Sequence, residues 1–330
     1  MRIVVWGAGA IGGVVGAWMA RQGEQITLID RDEEHVAAIR QRGLLIDGVR
    51  GEFRVQVPAS LPEEAEGPID IAFLAVKCQH TGGALDLLAP LLAPEGTIVS
   101  LQNGLNELEI ADRVGAQRTI GCFVNFGADW QGPGHIQHGG EHPLFVGELD
   151  GSRSERVGAV GRLLSLFCET QVTANIWGYL WAKLCYASLL YGTALVDEPV
   201  YEVVRRPEAA QVLYELVKEM MQLGQAQGIH LEQLLDYHPE EYAGGDWGPA
   251  MERTASHFQG QIKIKTGIWR DLAVRRRKTE VDCQIGAAVR KGAELGIPMP
   301  LNRRLIALVH ELEDGKRIMS WENFAQLEGA

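Results

Sequence analysis

Apolar and polar positions follow two different rhythms along this chain, and the rhythm changes near residue 175. Before that point the apolar runs are short. Ile3–Trp6, Gln25–Ile29, Ile69–Val76 and Thr97–Leu101 are bounded by Gly, Pro or polar residues, the pattern of strands buried on both faces. Helix-compatible stretches separate them, at Ile11–Ala20, Glu33–Arg42, Thr81–Leu92 and Ser154–Phe167. Strands alternating with helices predict a parallel α/β sheet. Leu44–Ile46 and Glu52–Val57 predict a short antiparallel excursion, Thr119–Glu148 predicts strands with a long loop, and Gln171–Ala174 a last strand. From Ile176 onward, helices are expected at Ile176–Val196, Pro207–Gly228, Leu231–Leu235, Ile268–Leu295 and Arg303–Leu312, with an irregular loop at Tyr237–Gly248 and a break at Pro298–Pro300. Two domains follow, 1–175 (α/β) and 176–330 (all-α), each long enough for its own core.

The first strand runs directly into G-A-G-A-I-G, residues 7–12, and then into a helix. This is the order of a dinucleotide-binding unit. Gly7 serves the tight turn, Gly9 the approach of a pyrophosphate, and Gly12 the packing of helix on strand, while Ala10 and Ile11 open the helix whose free N–H groups face the anion. A chain with 39 glycines meets this pattern by chance about 0.5 times, so the flanking strand and helix carry the assignment. The second strand ends at Asp30 and Arg31. A carboxylate there suits the ribose hydroxyl of NAD, whereas an arginine suits the 2′-phosphate of NADP, and both cofactors stay open. Lys77 and Gln102-Asn103-Gly104 follow later strands, at the carboxyl ends where open parallel sheets bind ligands.

Composition narrows the classes. A net charge of −12, with 46% hydrophobic and 22% charged residues, describes a soluble globular protein and argues against a nucleic-acid or anionic-membrane surface. There is no eighteen-residue apolar span, no leader pattern and no C-x-x-C pair among five scattered cysteines, so a cytoplasmic protein is expected. His135, His138 and His142 lack metal-ligand spacing, and no metal is expected.

In the second half one basic residue, Lys183, stands in the apolar stretch Ile176–Val196. Burying an ammonium costs several kcal/mol unless it finds a partner, and burial lowers its pKa toward the range of proton exchange near neutrality. Glu280 and Asp282 follow the basic run R-R-R-K on the expected late helix.

Taken together these motifs resemble the ketopantoate reductase family (2-dehydropantoate 2-reductases, the PanE/ApbA type). The resemblance rests on G-A-G-A-I-G, Val76-Lys77, Gln102–Gly104, the G-P-G…H-x-G…G-E series over Gly132–Glu148, W-x-K-L at Trp181–Leu184 and K-T-E-V-D at Lys278–Asp282, and it spans nearly the whole chain. It implies an N-terminal Rossmann domain joined to a helical C-terminal domain like that of 6-phosphogluconate dehydrogenase, with substrate in the cleft between them, and a homodimer. The implied reaction is reduction of a 2-oxo acid by NADPH, as in pantothenate biosynthesis. Lys183 would be the general acid, Glu280 would anchor the substrate hydroxyl or orient the lysine, Asn103 would bond the nicotinamide ribose or substrate, and Lys77 would help place the nicotinamide.

This chain departs from the family on the substrate side. Ala187 and Tyr191 stand where asparagines are usual, four and eight residues after the lysine, and Gly267 replaces a serine four residues before Asp271, with Thr266 adjacent. The Asp271–Glu280 interval is one residue longer. Each lost bond to a charged substrate is worth roughly 1.5–3 kcal/mol, which points away from ketopantoate toward a bulkier or more apolar compound, in a pocket near Trp177, Trp181, Tyr186, Tyr191 and Trp269. Two other readings remain: a dehydrogenase oxidising a hydroxy compound with NAD, which Asp30 favours, and a dinucleotide-binding sensor without turnover, which retention of Lys183, Asn103 and Glu280 opposes.

Overall fold

The apolar run Ile3–Trp6 is strand β1, with all four side chains buried. Alternate residues face opposite layers. Ile3 and Val5 join an apolar cluster with Val14, Met19 and Val160, while Val4 and Trp6 join another with Leu85, Leu88 and Ile110. A strand covered on both faces has no polar side, which is why its sequence is unbroken apolar.

The computed structural model describes residues 1–261 and 263–328. The chain divides into two compact units, Met1–Ile176 and Trp177–Ala330. In the first, β1 is followed by α1 (Ala10–Arg21), β2 (Ile26–Ile29), α2 (Glu33–Arg42), β3 (Leu44–Gly48), β4 (Phe53–Val55), β5 (Ala59–Ser60), β6 (Ile69–Leu74), α3 (Thr81–Leu88) and β7 (Leu92–Ser100). Next come α4 (Asn106–Val114), β8 (Thr119–Phe123), β9 (Gly127–Gly132), β10 (His135–Gly140), β11 (Leu144–Glu148), α5 (Glu155–Ser165) and β12 (Thr170–Val172).

The main sheet has the order β5–β2–β1–β6–β7–β8–β11–β12. Its strands from β5 to β8 are parallel, β11 is antiparallel to β8, and β12 is parallel to β11. From β1 the chain builds outward through β2 and β5, then returns to lay β6 on the other side of β1. That reversal opens a crevice beyond the carboxyl ends of β1 and β6, where α/β sheets hold their ligands. A small second sheet, β4–β3–β10–β9, contains the antiparallel excursion expected from the sequence.

The second unit is helical: α6 (Ile176–Thr193, beginning at the unit boundary), α7 (Val200–Val204), α8 (Pro207–Ala226), α9 (Gly248–Gln259), α10 (Gly267–Ala273), α11 (Ile285–Leu295), α12 (Pro300–Glu313) and α13 (Glu322–Glu328). The buried Asn302 ties three of these together. It donates to Leu216 O at 2.9 Å and Glu219 Oε2 at 3.0 Å, and accepts from Ser188 Oγ at 2.6 Å, so α12 and α8 both brace α6. Among the described residues no helix is long and apolar enough to cross a membrane.

Three local expectations need correction. The helix expected over Thr81–Leu92 stops at Leu88, because Pro90 has no N–H to continue it, and β7 begins at Leu92. Leu231–Leu235 is not a helix. The segment ends in a tight turn in which Leu234 and Tyr237 exchange backbone hydrogen bonds of 2.9 and 2.7 Å, with Leu231 and Leu234 buried. The single late helix over Ile268–Leu295 is two, α10 and α11. Between them Arg276 takes φ +48° and the chain folds around Asp271, whose Oδ1 accepts from Arg275 Nη1 (3.2 Å) and Arg277 Nη2 (2.9 Å). The basic run is therefore spent partly on a buried aspartate rather than on one solvated helix face. Helices α4, α7, α9 and α13 have no counterpart among the expected elements.

Candidate active site

Gly7 leaves β1 at φ +101°, and a Cβ there would stand 2.7 Å from Val76 N. At Gly12 a Cβ would meet Gly7 O at 2.1 Å and Val5 Cγ1 at 2.8 Å. Both positions demand glycine for the protein's own packing. Gly9 differs: a Cβ there would meet nothing within 4 Å, and its φ of −67° is open to any residue. Its smallness answers to no protein neighbour. Gly9 is also the N-cap of α1 and makes no side-chain cap, so the first-turn N–H groups of Ala10, Ile11 and Gly12 lack an intrahelical acceptor. An anion meeting those groups is the partner this geometry suits, and the residues present fit a dinucleotide pyrophosphate.

Around the turn stand the other carboxyl ends. Gly7 N and Ala8 N donate to Ile29 O, at 2.7 and 3.1 Å, locking the turn to the end of β2. Asp30 follows, half-buried, and its Oδ1 accepts from Asp32 N at 3.0 Å. Arg31 is exposed and its Nη2 lies 3.3 Å from His80 Nε2, beyond the end of β6. Lys77 is half-buried and follows β6 by three residues.

Asn103 is exposed, and a buried network fixes its loop. Gln102 Nε2 donates to Val76 O (2.9 Å) and Thr81 Oγ1 (2.8 Å), Thr81 Oγ1 donates to Asn106 Oδ1 (3.1 Å), and Asn106 Nδ2 donates to Asn103 O (2.7 Å). The loops after β6 and β7 are thus one hydrogen-bonded piece. Gln102 was visible in the sequence beside Asn103, but Thr81 and Asn106 gave no signal there, because their partners are 21 and 25 residues away.

In the helical unit Lys183 is the only charged side chain of α6 and is half-buried. Glu280, half-buried, lies in the turn before α11. Tyr191, on α6, is 1% exposed. Burial raises its hydroxyl above the ordinary tyrosine value and the charge of nearby Glu280 adds to this, while a hydrogen bond with Thr279 works the other way. Thr279 is itself held by Glu313, which accepts from its N–H and its hydroxyl at 2.7 Å each.

Comparison with known proteins decides the family. The family description "Ketopantoate reductase PanE/ApbA" matches residues 3–151, and "Ketopantoate reductase PanE/ApbA C terminal" matches residues 175–313. The chain belongs to the ketopantoate reductase family. A 2-dehydropantoate 2-reductase of Archaeoglobus fulgidus is 29% identical over 316 residues, covering 95% of this chain and 98% of that protein. One from Pyrococcus abyssi is 30% identical over 322 residues, covering 96% and 100%. The solved PanE/ApbA family ketopantoate reductase of Ralstonia eutropha JMP134 has a TM-score of 0.81 at 28% identity, covering 96% and 99%. D-mandelate dehydrogenase, solved with NADH and anilino(oxo)acetate, shares the fold with a TM-score of 0.82 at 23% identity over 96% and 99%. This ketopantoate reductase family member is an NAD(P)-dependent oxidoreductase acting on CH–OH groups and the corresponding carbonyls, with a nicotinamide dinucleotide as cofactor.

Within the family frame, the substrate-side departures have specific surroundings. Thr266, adjacent to Gly267, spends its hydroxyl as the N-cap of α10, accepting from Trp269 N at 3.0 Å. The carboxylate of Asp271 carries the two arginines described above. Ala187 is half-buried and offers no polar group. Of the five aromatic residues expected near the substrate, Trp181 and Tyr191 are buried. Trp181 is 2% exposed and packs toward Gly224 of α8, and Tyr186 is tied to buried Asp236 by a 2.6 Å hydrogen bond, so both are structural. Trp177 and Trp269 are half-buried.

The histidines of the β10 region have local partners. His135 Nε2 pairs with Asp47 Oδ2 at 2.8 Å, and buried His138 bonds Gly140 O at 3.1 Å, its pKa lowered chiefly by burial. Cys168 and Cys185 are free and buried, their thiols pushed up to about 12 mainly by desolvation, so neither presents a thiolate near neutrality.

Proposed function

We propose that this family member reduces a 2-oxo acid to the 2-hydroxy acid, with Lys183 as general acid. The observation that carries the reading is the pairing of a glycine turn open at Gly9 with a single half-buried lysine on an otherwise uncharged helix. The bound nicotinamide supplies the hydride. Hydride addition develops negative charge on the carbonyl oxygen, and the Lys183 ammonium neutralises that oxygen and delivers its proton to it. Glu280 holds the substrate or orients Lys183, and Tyr191 beside it restricts the space an asparagine would leave. Gly7, Gly9, Ala10, Ile11 and Gly12 hold the pyrophosphate, and Lys77 and Asn103 serve the nicotinamide end.

For the adenosine end we favour NADPH. Beyond β2 the Arg31 guanidinium donates to His80 Nε2 at 3.3 Å and carries the charge suited to a 2′-phosphate, while Asp30 turns Oδ1 toward its own loop. Arg31→Ala is expected to lower the NADPH/NADH preference about tenfold or more, the worth of one charge-assisted bond, and Asp30→Gly to raise it. Ratios of kcat/KM for the two nucleotides measure this, and an unchanged ratio in both variants contradicts the assignment.

On the substrate side, the missing polar groups at Ala187 and Gly267, the engaged Asp271 and the bulk of Tyr191 favour a 2-oxo acid with an apolar side chain over ketopantoate. The test is nicotinamide oxidation across a panel of 2-oxo acids that includes ketopantoate and aromatic members. The expected result is a higher kcat/KM for an apolar or aromatic substrate. Ketopantoate as the fastest substrate would overturn this part of the reading.

A further inference from the structure

His35 sits in the first turn of α2 and is 1% exposed. Its backbone N–H donates to the capping carboxylate of Asp32 at 2.9 Å. Its ring is held at both nitrogens. Gly134 N donates to Nδ1 at 3.0 Å, which requires a lone pair at Nδ1 and so leaves the ring proton on Nε2. Nε2–H then donates to Ala8 O at 3.0 Å.

Both partners belong to motifs already singled out. Ala8 lies between Gly7 and Gly9 of the glycine turn. Gly134 ends the G-P-G segment joining β9 to β10, at φ +71°, with space for a Cβ limited to 3.0 Å by Ala38 on α2. The imidazole therefore bridges the glycine turn to the hairpin of the second sheet. In a trans peptide the C=O and the following N–H point in opposite directions across one rigid plane. Pinning Ala8 O on His35 consequently aims Gly9 N–H away from the imidazole. At Gly9 itself a Cβ would meet nothing, so the turn beside that N–H is open for a ligand.

We infer that His35 is a positioning residue for the dinucleotide: through the Ala8–Gly9 peptide it presets an anion-facing amide, with the G-P-G hairpin fixing its tautomer. This rests on the reading of the glycine turn as the pyrophosphate site. It gives the G-P-G segment a role in cofactor affinity although that segment belongs to another sheet. The pyrophosphate is common to both nucleotides, so losing the preset amide weakens NADH and NADPH alike. That separates it from any change at Asp30 or Arg31, which alters their ratio.

Nucleotide fluorescence titrations of the intact chain test it, using NADH and NADPH with His35→Phe, which keeps ring volume, and His35→Gln, which keeps a donor and an acceptor. Each titration is run below the thermal midpoint of its variant. His35→Phe is expected to weaken both nucleotides about tenfold, in equal proportion, with kcat at saturating nucleotide within about twofold of the unaltered chain. His35→Gln is expected to recover part of the loss, and it carries the test alone if the phenylalanine variant does not fold. Affinity within about twofold of the unaltered chain in a folded His35→Phe, or in His35→Gln together with loss of kcat, overturns the inference. Absence of nucleotide binding in the unaltered chain instead overturns the pyrophosphate-site reading on which it rests.

Discussion

Replacing Lys183 by alanine is expected to lower kcat by about 10³-fold or more while leaving nucleotide affinity within about twofold. Proton transfer by a positioned acid contributes about 10²–10⁴-fold, and the ammonium's charge on the developing oxyanion adds to that. Nucleotide affinity is spared because the residues assigned to the pyrophosphate and adenosine lie on the first unit's strand ends, whereas Lys183 is on α6. Lys183→Arg separates the two contributions. Arginine keeps the charge but stays protonated across the accessible pH range, so it retains electrostatic stabilisation and loses proton delivery. Its kcat is expected between those of the alanine variant and the unaltered chain. Single-turnover rates together with nucleotide titrations check both variants. Equal loss of nucleotide binding and turnover would move Lys183 out of the acid role.

The second large effect separates glycines that fold the protein from the glycine that serves it. Gly12→Ala places a Cβ 2.1 Å from Gly7 O, a backbone atom that cannot swing aside, and is expected to destabilise the first unit by several kcal/mol or block its folding. Gly9→Ala meets no protein atom within 4 Å and keeps an ordinary φ of −67°. It is expected to leave the unfolding midpoint unchanged and to weaken both nucleotides about tenfold or more, because the methyl occupies the path of the approaching pyrophosphate. Urea denaturation and nucleotide titration of the two variants give the contrast. A Gly9→Ala protein of normal stability and normal nucleotide affinity would remove the turn from the cofactor site.

Much of the fold was legible because local pattern and tertiary demand coincide in the first unit. Ile3–Trp6, and Ile69–Leu74 apart from Asp70, are buried apolar runs with clusters on both faces, the pattern of central strands. Periodicity failed where side-chain pairing, which an apolar pattern does not register, accompanies a break in the backbone. The pattern over 268–295 reads as one helix, yet Asp271 draws Arg275 and Arg277 back and splits it. At Leu231–Leu235 apolar content predicts a helix, yet only Leu231 and Leu234 are buried and the segment ends in a turn, since apolar content alone does not choose between helix and turn.

The site divides in the same way. The glycines and the strand-end residues Asp30, Arg31, Lys77 and Asn103 announce themselves by position relative to strands. The residues that hold them, among them His35, Thr81 and Asn106, do not, because their meaning is a partner distant in sequence: His35 meets Gly134 99 residues on. Substitution by side-chain type also misleads when packing is unseen. Trp181 and Tyr186 count as pocket aromatics by proximity to Lys183 in sequence, and turn out to be held in the body of the helical unit.

The central claim is that this ketopantoate reductase family member couples nicotinamide oxidation to reduction of a 2-oxo acid through Lys183. The most direct measurement is nicotinamide absorbance in matched mixtures of NADPH and the 2-oxo acid panel, with the unaltered chain and Lys183→Ala side by side. The account predicts substrate-dependent oxidation by the unaltered chain and almost none by the variant, with NADPH bound equally by both. Binding of NADPH without oxidation by any 2-oxo acid, or equal oxidation by both proteins, would contradict it.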